Sequence, residues 1–351
     1  MIDIYNKVGI QTDRHPHCEK VFSKMSLLNI EDLRTYYYTK RGPVKAVDGV
    51  SFQIRQGEAV GLAGESGCGK TTVALSIMKI LPTHARITEG KILLKDIDIA
   101  KISEKEMKKI RWKRISLVFQ GAMNALDPLY SLGDQIVEAI SIHEQKFNKR
   151  DARKRAEELL GLVGMERKTM KSYPHELSGG MRQRGLIAMA LACKPEILIA
   201  DEPGTALDVI VQAQVLGILE DLRRKLDLAV ILITHDLSII ADTCDKAAIM
   251  YAGKIVEYVD VLDLFEQPLH PYTQGLIYAF PNIRSARTRM RSIPGSPPDL
   301  LDPPPGCRFH PRCMYAKDIC KKEEPILTSR GKKEHLVACH LYDNVWLRMK
   351  D

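Results

Sequence analysis

The chain has 351 residues, of which 45% are hydrophobic, and its 52 basic and 44 acidic residues give a net charge of +8 at pH 7. This length and composition are typical of a globular protein of about two domains. No apolar run reaches the roughly 18 residues that a membrane-spanning helix needs, and the N-terminus lacks the apolar core of a signal peptide. The charges are mixed along the chain without a long Lys/Arg block, so we expect an intracellular protein that has no nucleic-acid partner.

The N-terminal part of the chain predicts an extension followed by a β-hairpin. Residues 1–24 are polar and have no clear periodicity, which favours a loosely held extension over a metal site. Apolar and polar residues then alternate from Leu27 to Tyr38 and from Ala46 to Ile54, on either side of the turn sequence Lys40–Pro43. A short apolar run, Ala59–Ala63, follows the hairpin and is suited to a buried strand.

A glycine-rich phosphate-binding pattern comes directly after this strand. It fits G-x-x-x-x-G-K-[ST], and its residues are Gly64, Glu65, Ser66, Gly67, Cys68, Gly69, Lys70, Thr71 and Thr72. The glycines let backbone N–H groups turn toward phosphate, Lys70 can reach the β- and γ-phosphates, and the Thr71 hydroxyl can bind Mg²⁺. Residues 72–81 predict a helix whose N-terminus faces those phosphates. The pattern therefore predicts nucleoside triphosphate binding, without identifying the work that hydrolysis drives.

The middle of the chain predicts strands that alternate with helices. Two strand candidates, Gly90–Leu94 and Ile115–Phe119, flank a charged helical stretch at 104–114. From about 121 to 178 apolar residues recur at spacings of three and four, which predicts an all-helical insertion.

Two stronger apolar strands, Ile197–Ala200 and Ala229–Ile233, enclose a predicted helix at 209–225. Such alternation is typical of a parallel sheet with crossover helices. The first strand ends in Asp201 and Glu202, at the carboxyl end, where α/β sheets bind ligands. Asp201 can hold Mg²⁺ and Glu202 can polarise water. The doublet is a weak signal alone and a strong one beside a phosphate loop.

The segment Leu177–Gln183 resembles the signature sequence of ATP-binding-cassette (ABC) proteins, and it lies just upstream of the acidic strand. A predicted helix at 181–193 is preceded by Ser178, Gly179 and Gly180. These residues offer a hydroxyl and unhindered backbone N–H groups at the positive end of the helix dipole. Such a helix end can bind a second phosphate group, although a purely structural N-cap has the same pattern.

The other motifs of the family are also in order along the chain. Gln120 matches the Q-loop, Ala206-Leu207-Asp208 matches the D-loop, and His235 matches the switch histidine. The resemblance implies that Gln120 joins Thr71 and Asp201 around Mg²⁺, that Asp208 borders the nucleotide, and that Glu202 and His235 are catalytic. In the family two ATPs are enclosed between two subunits. The chain has one copy of each motif, so the resemblance implies a second ABC ATPase subunit, identical or paralogous.

Two positions depart from the family pattern. Position 204 is Gly where a small hydroxyl residue is usual, which is expected to loosen the turn after Glu202. The aromatic residue that stacks on adenine is not obvious, because Arg41 falls near its place, and Tyr38 is the candidate.

Three further segments resemble the oligopeptide/dipeptide importer ATPases over residues 25–345: Gln267–Thr273, Pro294–Pro298 and Gly306–Cys313. This resemblance implies di/oligopeptide uptake, two integral membrane permease subunits, an extracytoplasmic solute-binding protein, and a peripheral position at the cytoplasmic face of the cell membrane. Related ATPases serve nickel and oligosaccharide importers, which remain alternatives. A soluble ABC ATPase that acts on nucleic acid or ribosomes is less favoured because no second cassette or coiled coil is visible. A redox-regulated protein is less favoured because the set of hydrolytic motifs is complete.

We therefore predict an α/β P-loop NTPase fold of the ABC type, with a parallel sheet core, an antiparallel β layer and a helical subdomain at about 121–178. The predicted domains are an extension at 1–24, an ABC ATPase domain at 25–285, and a Pro-rich linker with a tail at 286–351. The tail carries four cysteines: Cys307, Cys313, Cys320 and Cys339.

The family resemblance implies that the four tail cysteines bind a [4Fe–4S] cluster. Zinc remains an alternative, although gaps of five and six residues lack the close pairs of zinc knuckles, and free or oxidised thiols are a third. So small a segment needs something besides apolar burial to hold it together. We expect the cluster to be structural, with no part in ATP chemistry.

Overall fold

The computed structural model describes residues 26–119, 121, 125–144, 146–205, 207–279, 293–330 and 334–342. Its strands are β1 Leu28–Thr39, β2 Gly42–Ile54, β3 Ala59–Ala63, β4 Ala85–Leu94, β5 Ile97–Asp98, β6 Ile115–Val118, β7 Ile197–Asp201, β8 Ala229–Thr234, β9 Lys246–Tyr251, β10 Lys254–Asp260, β11 Thr328–Ser329 and β12 Leu336–Val337. Its helices are α1 Lys70–Met78, α2 Glu104–Ile110, α3 Leu132–His143, α4 Lys149–Leu162, α5 Gly179–Ala190, α6 Val209–Leu226, α7 Leu237–Thr243, α8 Val261–Glu266 and α9 Pro271–Ala279. The predicted extension at 1–24 lies outside the described residues.

The larger sheet is mixed, with the strand order β11-β12-β10-β9-β3-β8-β7-β6. The strands from β9 to β6 in this order run parallel, and β10, β12 and β11 are added antiparallel at one edge. Every residue of β3, β7 and β8 is buried, because helices cover both faces of the parallel part. This is why these strands appear in the sequence as continuous apolar runs, and the predicted parallel core is confirmed.

The smaller sheet has four antiparallel strands in the order β2-β1-β4-β5. Its hairpin pairs Leu28 with Ile54 and Thr39 with Gly42, so the hairpin predicted from alternation is confirmed. The strand predicted at Gly90–Leu94 is the second half of β4, which pairs with β1 in this layer. The sheet stacks its apolar face on α1 and the core strands, around Phe52, Ile77 and Ile92.

The helical insertion consists of α3 and α4, which pack against α5. Each helix begins at a residue whose side chain accepts a backbone N–H: Ser131 for α3, Asn148 for α4 and Ser178 for α5. Apolar residues three and four apart, among them Ile136 and Leu159, fill the space between the helices. Helices are therefore present where the spacing of apolar residues predicts them, and the bounds of the insertion at about 121–178 stay a prediction.

The tail does not form a separate layer. β12 pairs with β10, with Val337 opposite Glu257 and Leu336 opposite Tyr258, so the tail extends the main sheet. Phe309 of the tail packs in the same apolar cluster as Tyr251 and Tyr272. None of the helices in the described parts of the chain has the length and apolar character needed to cross a membrane.

Candidate active site

The carboxyl ends of β3, β8 and β7 lie side by side in the sheet. Ala63, the last residue of β3, is opposite Thr234, and Asp201 of β7 is opposite Ile233. The phosphate loop follows β3 and His235 follows β8, while Glu202 follows Asp201. Parallel pairing alone therefore brings together residues that are up to 171 positions apart, by the difference between 64 and 235.

The phosphate loop is folded tightly against the core at its two ends. Gly64 has φ +150 and Gly69 has φ +109, and a Cβ atom at either position would lie 2.1 Å from a backbone carbonyl oxygen. Only glycine fits there. The Lys70 ammonium donates hydrogen bonds to the carbonyl oxygens of Gly64 at 2.7 Å and Glu65 at 3.0 Å, so the loop curls around its own lysine.

The remaining loop residues divide between an exposed tip and a buried floor. Ser66 and Gly67 are exposed, whereas Cys68 is buried and burial raises its pKa. The Thr72 hydroxyl is buried 3.2 Å from the hydroxyl of Tyr37, so it ties α1 to the smaller sheet. The loop therefore offers its tip, and Thr71 beside it, to a ligand.

Asp201 is almost completely buried, with 1% of its surface exposed. Burial raises its pKa above the ordinary value, although a hydrogen bond with Thr71 and the charge of Lys70 act in the opposite direction. Its Oδ1 atom has no hydrogen-bond partner among the described residues. A buried, unsatisfied carboxylate oxygen next to a threonine hydroxyl fits a divalent cation, so the residues present suit Mg²⁺.

Glu202 lies beside Asp201, but its surroundings lower its pKa instead of raising it. Burial disfavours its ionised form, but hydrogen bonds from His235 and Thr205 outweigh burial and hold its pKa below the ordinary value. Nδ1 of His235 is 3.1 Å from one carboxylate oxygen, and the Thr205 hydroxyl donates to the other at 2.8 Å. Glu202 has φ +46, an uncommon left-handed conformation for a residue with a side chain. It is thus held ionised and directed by two neighbours.

Ser178 of the predicted signature and Asp208 of the predicted D-loop make local capping contacts. Ser178 Oγ accepts the N–H of Met181 at 3.3 Å, and Asp208 Oδ1 accepts the N–H of Val211 at 2.9 Å. They cap α5 and α6 and are exposed, with Gly179 and Gly180 beside Ser178. Within the described residues no hydrogen bond joins these four to the phosphate loop.

Four of the predicted positions need separate comment. Gln120 lies outside the described residues, as does Ala206 of the D-loop. Tyr38 is 39% exposed and its ring faces the guanidinium of Arg86 at 4.3 Å. At position 204 a Cβ atom would lie 2.4 Å from the side chain of Gln212, and the hydroxyl that contacts Glu202 comes from Thr205 instead.

Two residues that the sequence analysis did not assign also reach the phosphate loop. The Tyr272 hydroxyl accepts the backbone N–H of Glu65 at 2.9 Å, and Arg312 binds the Glu65 carboxylate with two nitrogens at 2.6 and 2.9 Å. Both residues stand in segments that carry the family resemblance, Tyr272 in Gln267–Thr273 and Arg312 in Gly306–Cys313, but the resemblance assigned neither of them a role. Arg312 is 247 residues from Glu65, and no local pattern indicates the contact.

The four tail cysteines come close enough to affect one another. Burial, with a smaller contribution from the neighbouring thiols, raises the pKa of Cys307 to about 11 and that of Cys339 to about 12. Among the described residues all seven cysteines are free, and no three His, Cys, Asp or Glu side chains are placed to hold a metal ion. The expected metal-cluster extension is therefore not supported by this arrangement.

Comparison with known proteins adds independent information. The family described as "ABC transporter" matches residues 47–205, and the one described as "Oligopeptide/dipeptide transporter, C-terminal region" matches residues 256–320. The first segment contains the phosphate loop and the acidic strand end, and the second contains Tyr272 and Arg312.

Similar whole chains and structures are also known. The oligopeptide transport ATP-binding protein AppD of Bacillus subtilis is 46% identical over 91% of this chain and 97% of its own length. OppD, the oligopeptide transport ATP-binding protein of Escherichia coli, is 45% identical over 86% of this chain and 89% of its own length. The dimeric ATP-binding cassette MJ0796, in a post-hydrolysis state with ADP and Pi, superposes with a TM-score of 0.60 at 28% identity, covering 67% of this chain and 98% of that cassette.

Proposed function

The chain belongs to the ABC transporter family, in the branch of the oligopeptide and dipeptide transport ATP-binding proteins, and from this we propose that it hydrolyses ATP to drive uptake of dipeptides or oligopeptides. The observation that carries the proposal is the convergence of the phosphate loop, Asp201, Glu202 and His235 at one edge of the parallel sheet. These are the groups that phosphoryl transfer needs, namely a phosphate cradle, a metal ligand and a group that orients water.

Nucleotide binding is assigned to the phosphate loop and the first turn of α1. The tip amides and Lys70 would bind the phosphates, and the positive end of α1 favours their negative charge. Thr71 and Asp201 would hold Mg²⁺, which neutralises charge that develops on the phosphates. We retain Gln120 as a third Mg²⁺ ligand and Tyr38 as the adenine contact, as proposals that rest on the family resemblance.

Hydrolysis is assigned to Glu202 and His235. The depressed pKa of Glu202 keeps its carboxylate ionised near neutral pH, so it can accept a hydrogen bond from water and orient it toward the γ-phosphate. His235 holds one carboxylate oxygen and is itself 66% exposed, so its other ring nitrogen is accessible to a bound phosphate. Lys70 supplies a further positive charge.

A second cassette is proposed to complete the site. Ser178 is exposed and Gly179 is partly exposed at the start of α5, with Gly180 buried beside them. This helix end suits a phosphate of the opposite subunit, and Asp208 borders the same interface. Next to Asp208, Val209 and Ile210 are 79% and 72% exposed, which is unusual for a pair of adjacent β-branched residues. An apolar pair at this position supports burial against another chain.

Permease subunits are proposed to dock beside the helical insertion, which would place the protein peripherally at the cytoplasmic face of the membrane. Leu129 and Tyr130 are 79% and 58% exposed in the turn that precedes α3. Gln135 donates to the carbonyl oxygens of Asp127 and Tyr130 at 3.0 Å each, so the turn that presents these apolar groups is fixed. A solute-binding protein outside the membrane would deliver the peptide.

The tail is proposed to be stabilised by a [4Fe–4S] cluster on Cys307, Cys313, Cys320 and Cys339, with Zn²⁺ as the alternative. Support comes from the mutual proximity of four free thiols, two of them buried and two partly buried. The side chains would have to adjust to bind it, since no three are placed for a metal ion among the described residues. When bound, the group would supply a covalent cross-link for a segment with little core of its own.

The test is uptake in proteoliposomes that contain this chain, a second cassette subunit and two permeases, with the peptide-loaded binding protein added outside. We expect a labelled tripeptide to accumulate only with Mg-ATP on the cassette side. Uptake of nickel or an oligosaccharide with no uptake of peptide would contradict the proposed substrate. Absence of Mg-ATP hydrolysis in the assembled complex would contradict the function as a whole.

A further inference from the structure

The tail and the phosphate loop meet at Glu65. Its carboxylate accepts two hydrogen bonds from Arg312 of the tail, and its backbone N–H donates to the hydroxyl of Tyr272 in α9. Glu65 also uses its carbonyl oxygen to accept a hydrogen bond from Lys70. Glu65 is thus held through its side chain by Arg312 and through its backbone by Tyr272, both of which are far away in the chain.

Arg312 is built into its place rather than lying on the surface. Its side chain is 5% exposed, its Nε donates to the carbonyl oxygen of Pro294 at 2.8 Å, and its guanidinium lies 5.6 Å from the ring centre of Tyr251. A guanidinium that is buried and fixed on several sides makes a strong, directional pair with a carboxylate. The contact with Glu65 is therefore able to restrict the loop.

A second connection runs from the same tail segment to the other end of the loop. Arg308 is ion-paired with Asp48, both nearly fully buried, and it donates to the carbonyl oxygen of Ala252. The next residue, Gly253, donates its N–H to the carbonyl oxygen of Cys68 at 2.9 Å. Both ends of the loop tip are therefore supported by one short stretch of the tail.

We infer that Arg312 is a positioning residue for ATP binding, which clamps the phosphate loop through Glu65 so that the loop amides are preorganised for phosphate. This inference rests on the proposed nucleotide site. It departs from the expectation that the tail has no part in ATP chemistry. A preorganised loop loses less conformational freedom when it binds ligand, so the clamp contributes to affinity without touching the nucleotide.

The test measures the Mg-ATP dissociation constant of the full-length chain by calorimetry. Arg312→Gln is expected to weaken Mg-ATP binding about tenfold. Arg312→Lys keeps the charge but cannot bind the carboxylate with two nitrogens, and it is expected to weaken binding by a smaller factor. In the assembled complex the KM for ATP should rise while kcat at saturating ATP stays within about twofold, because the catalytic groups are unchanged.

Arg114→Gln is the matched control. Arg114 is also ion-paired with a glutamate, Glu196, and both are partly exposed. Glu196 precedes β7 and so lies at the amino edge of the sheet, opposite the phosphate loop. This variant is expected to bind Mg-ATP like the wild type.

A double-mutant cycle with Glu65→Gln separates the clamp from general stability of the tail. The effects of Arg312→Gln and Glu65→Gln should not add, since each breaks the same pair. If Arg312→Gln does not fold, Glu65→Gln alone decides. Loss of the clamp predicts weaker Mg-ATP binding by this variant, whereas removal of a negative charge near phosphate would by itself strengthen binding. Unchanged affinity in either single variant, or additive effects, would overturn the inference, whereas a wild-type chain that binds no Mg-ATP would instead overturn the proposed function.

Discussion

Asp201 and Glu202 are adjacent in the chain, yet their surroundings move their pKa values in opposite directions. Burial raises the pKa of Asp201, whereas hydrogen bonds from His235 and Thr205 lower that of Glu202. Two carboxylates with different environments can take different roles, one as a metal ligand and the other as an ionised group facing water. A bound cation would favour the ionised form of Asp201 as well.

Replacing Glu202 with Gln is expected to slow ATP turnover in the assembled complex by a factor of about a hundred or more. The amide keeps the shape and one acceptor oxygen but loses the negative charge, so Mg-ATP affinity should persist. Single-turnover hydrolysis and ATP binding are measured side by side. Glu220→Gln, at a partly exposed acid of α6 paired with Arg224, serves as the control and should hydrolyse normally. Wild-type turnover in Glu202→Gln would assign the role elsewhere.

His270 gives a prediction for the pH dependence of stability. Its ring is fully buried, and burial lowers its pKa from 6.5 to about 4, although Glu257 acts in the opposite direction. Nδ1 of the neutral ring accepts the N–H of Tyr272 at 3.0 Å. The unfolded chain therefore binds a proton that the folded chain does not between these pH values.

Because the folded pKa is depressed, the contribution of His270 to stability is fully present above about pH 6.5 and is lost as the pH falls toward about 4. The loss amounts to about 3 kcal/mol in the free energy of unfolding. His270→Asn keeps an acceptor near Nδ1 but does not titrate there, so its stability should fall less over this range. Urea unfolding at several pH values measures both proteins, and parallel pH profiles would contradict the prediction.

The turn before α3 exposes two large apolar side chains, Leu129 and Tyr130. Leu129→Asp is expected to reduce recovery of the chain in the membrane fraction when permeases are co-expressed, because a charge replaces an exposed apolar group at the proposed docking surface. Its fold should be unaffected, since the side chain is 79% exposed. Recovery is measured by immunoblot of washed membranes.

Leu262→Asp is the matched control for this experiment. Leu262 is 77% exposed in α8, away from the helical insertion, and its replacement should leave membrane recovery unchanged. Equal recovery of the Leu129 and Leu262 variants would argue against docking at this turn. Full membrane recovery of the wild type without permeases would argue against a peripheral position that depends on them.

At the level of the whole molecule, the tail pairs with the main sheet and contacts the phosphate loop through Arg312. We therefore expect unfolding of the tail to affect both the sheet and the loop. If the four cysteines bind a cluster, anaerobically purified protein should be brown and contain about four iron and four sulfide per chain. Cys320→Ser should bleach the protein and make the tail sensitive to protease. Iron analysis, visible absorption and limited proteolysis measure these changes.

Cys193→Ser is the control, because Cys193 is a buried thiol outside the tail that burial keeps protonated. It should keep the colour and the protease resistance of the wild type. Colourless anaerobic protein with one equivalent of zinc would show that the four cysteines bind zinc and not the cluster. Colourless protein without metal would leave four free thiols and reject both.

Much of the fold could be predicted from local pattern. Strands that are buried on both faces need continuous apolar runs, as in β3, β7 and β8, and β1, whose buried positions largely alternate with less buried ones, needs alternation. The phosphate loop needs glycine where a Cβ atom would meet backbone, as at Gly64 and Gly69. These requirements act over a few residues, so the residues themselves reveal the parallel core, the loop and the acidic strand end. The roles of the signature residues and the domain boundaries remain predictions.

The place of the tail was decided only by tertiary structure. β11 and β12 have two residues each, too few for any periodicity, and they become strands because β10 offers an unpaired edge. Arg312 resembles any other basic residue until folding buries it beside Glu65, 247 positions away. Contacts of this kind depend on which surfaces meet after the core has formed, and a side chain that gains its partner in that way leaves no periodic trace in the sequence.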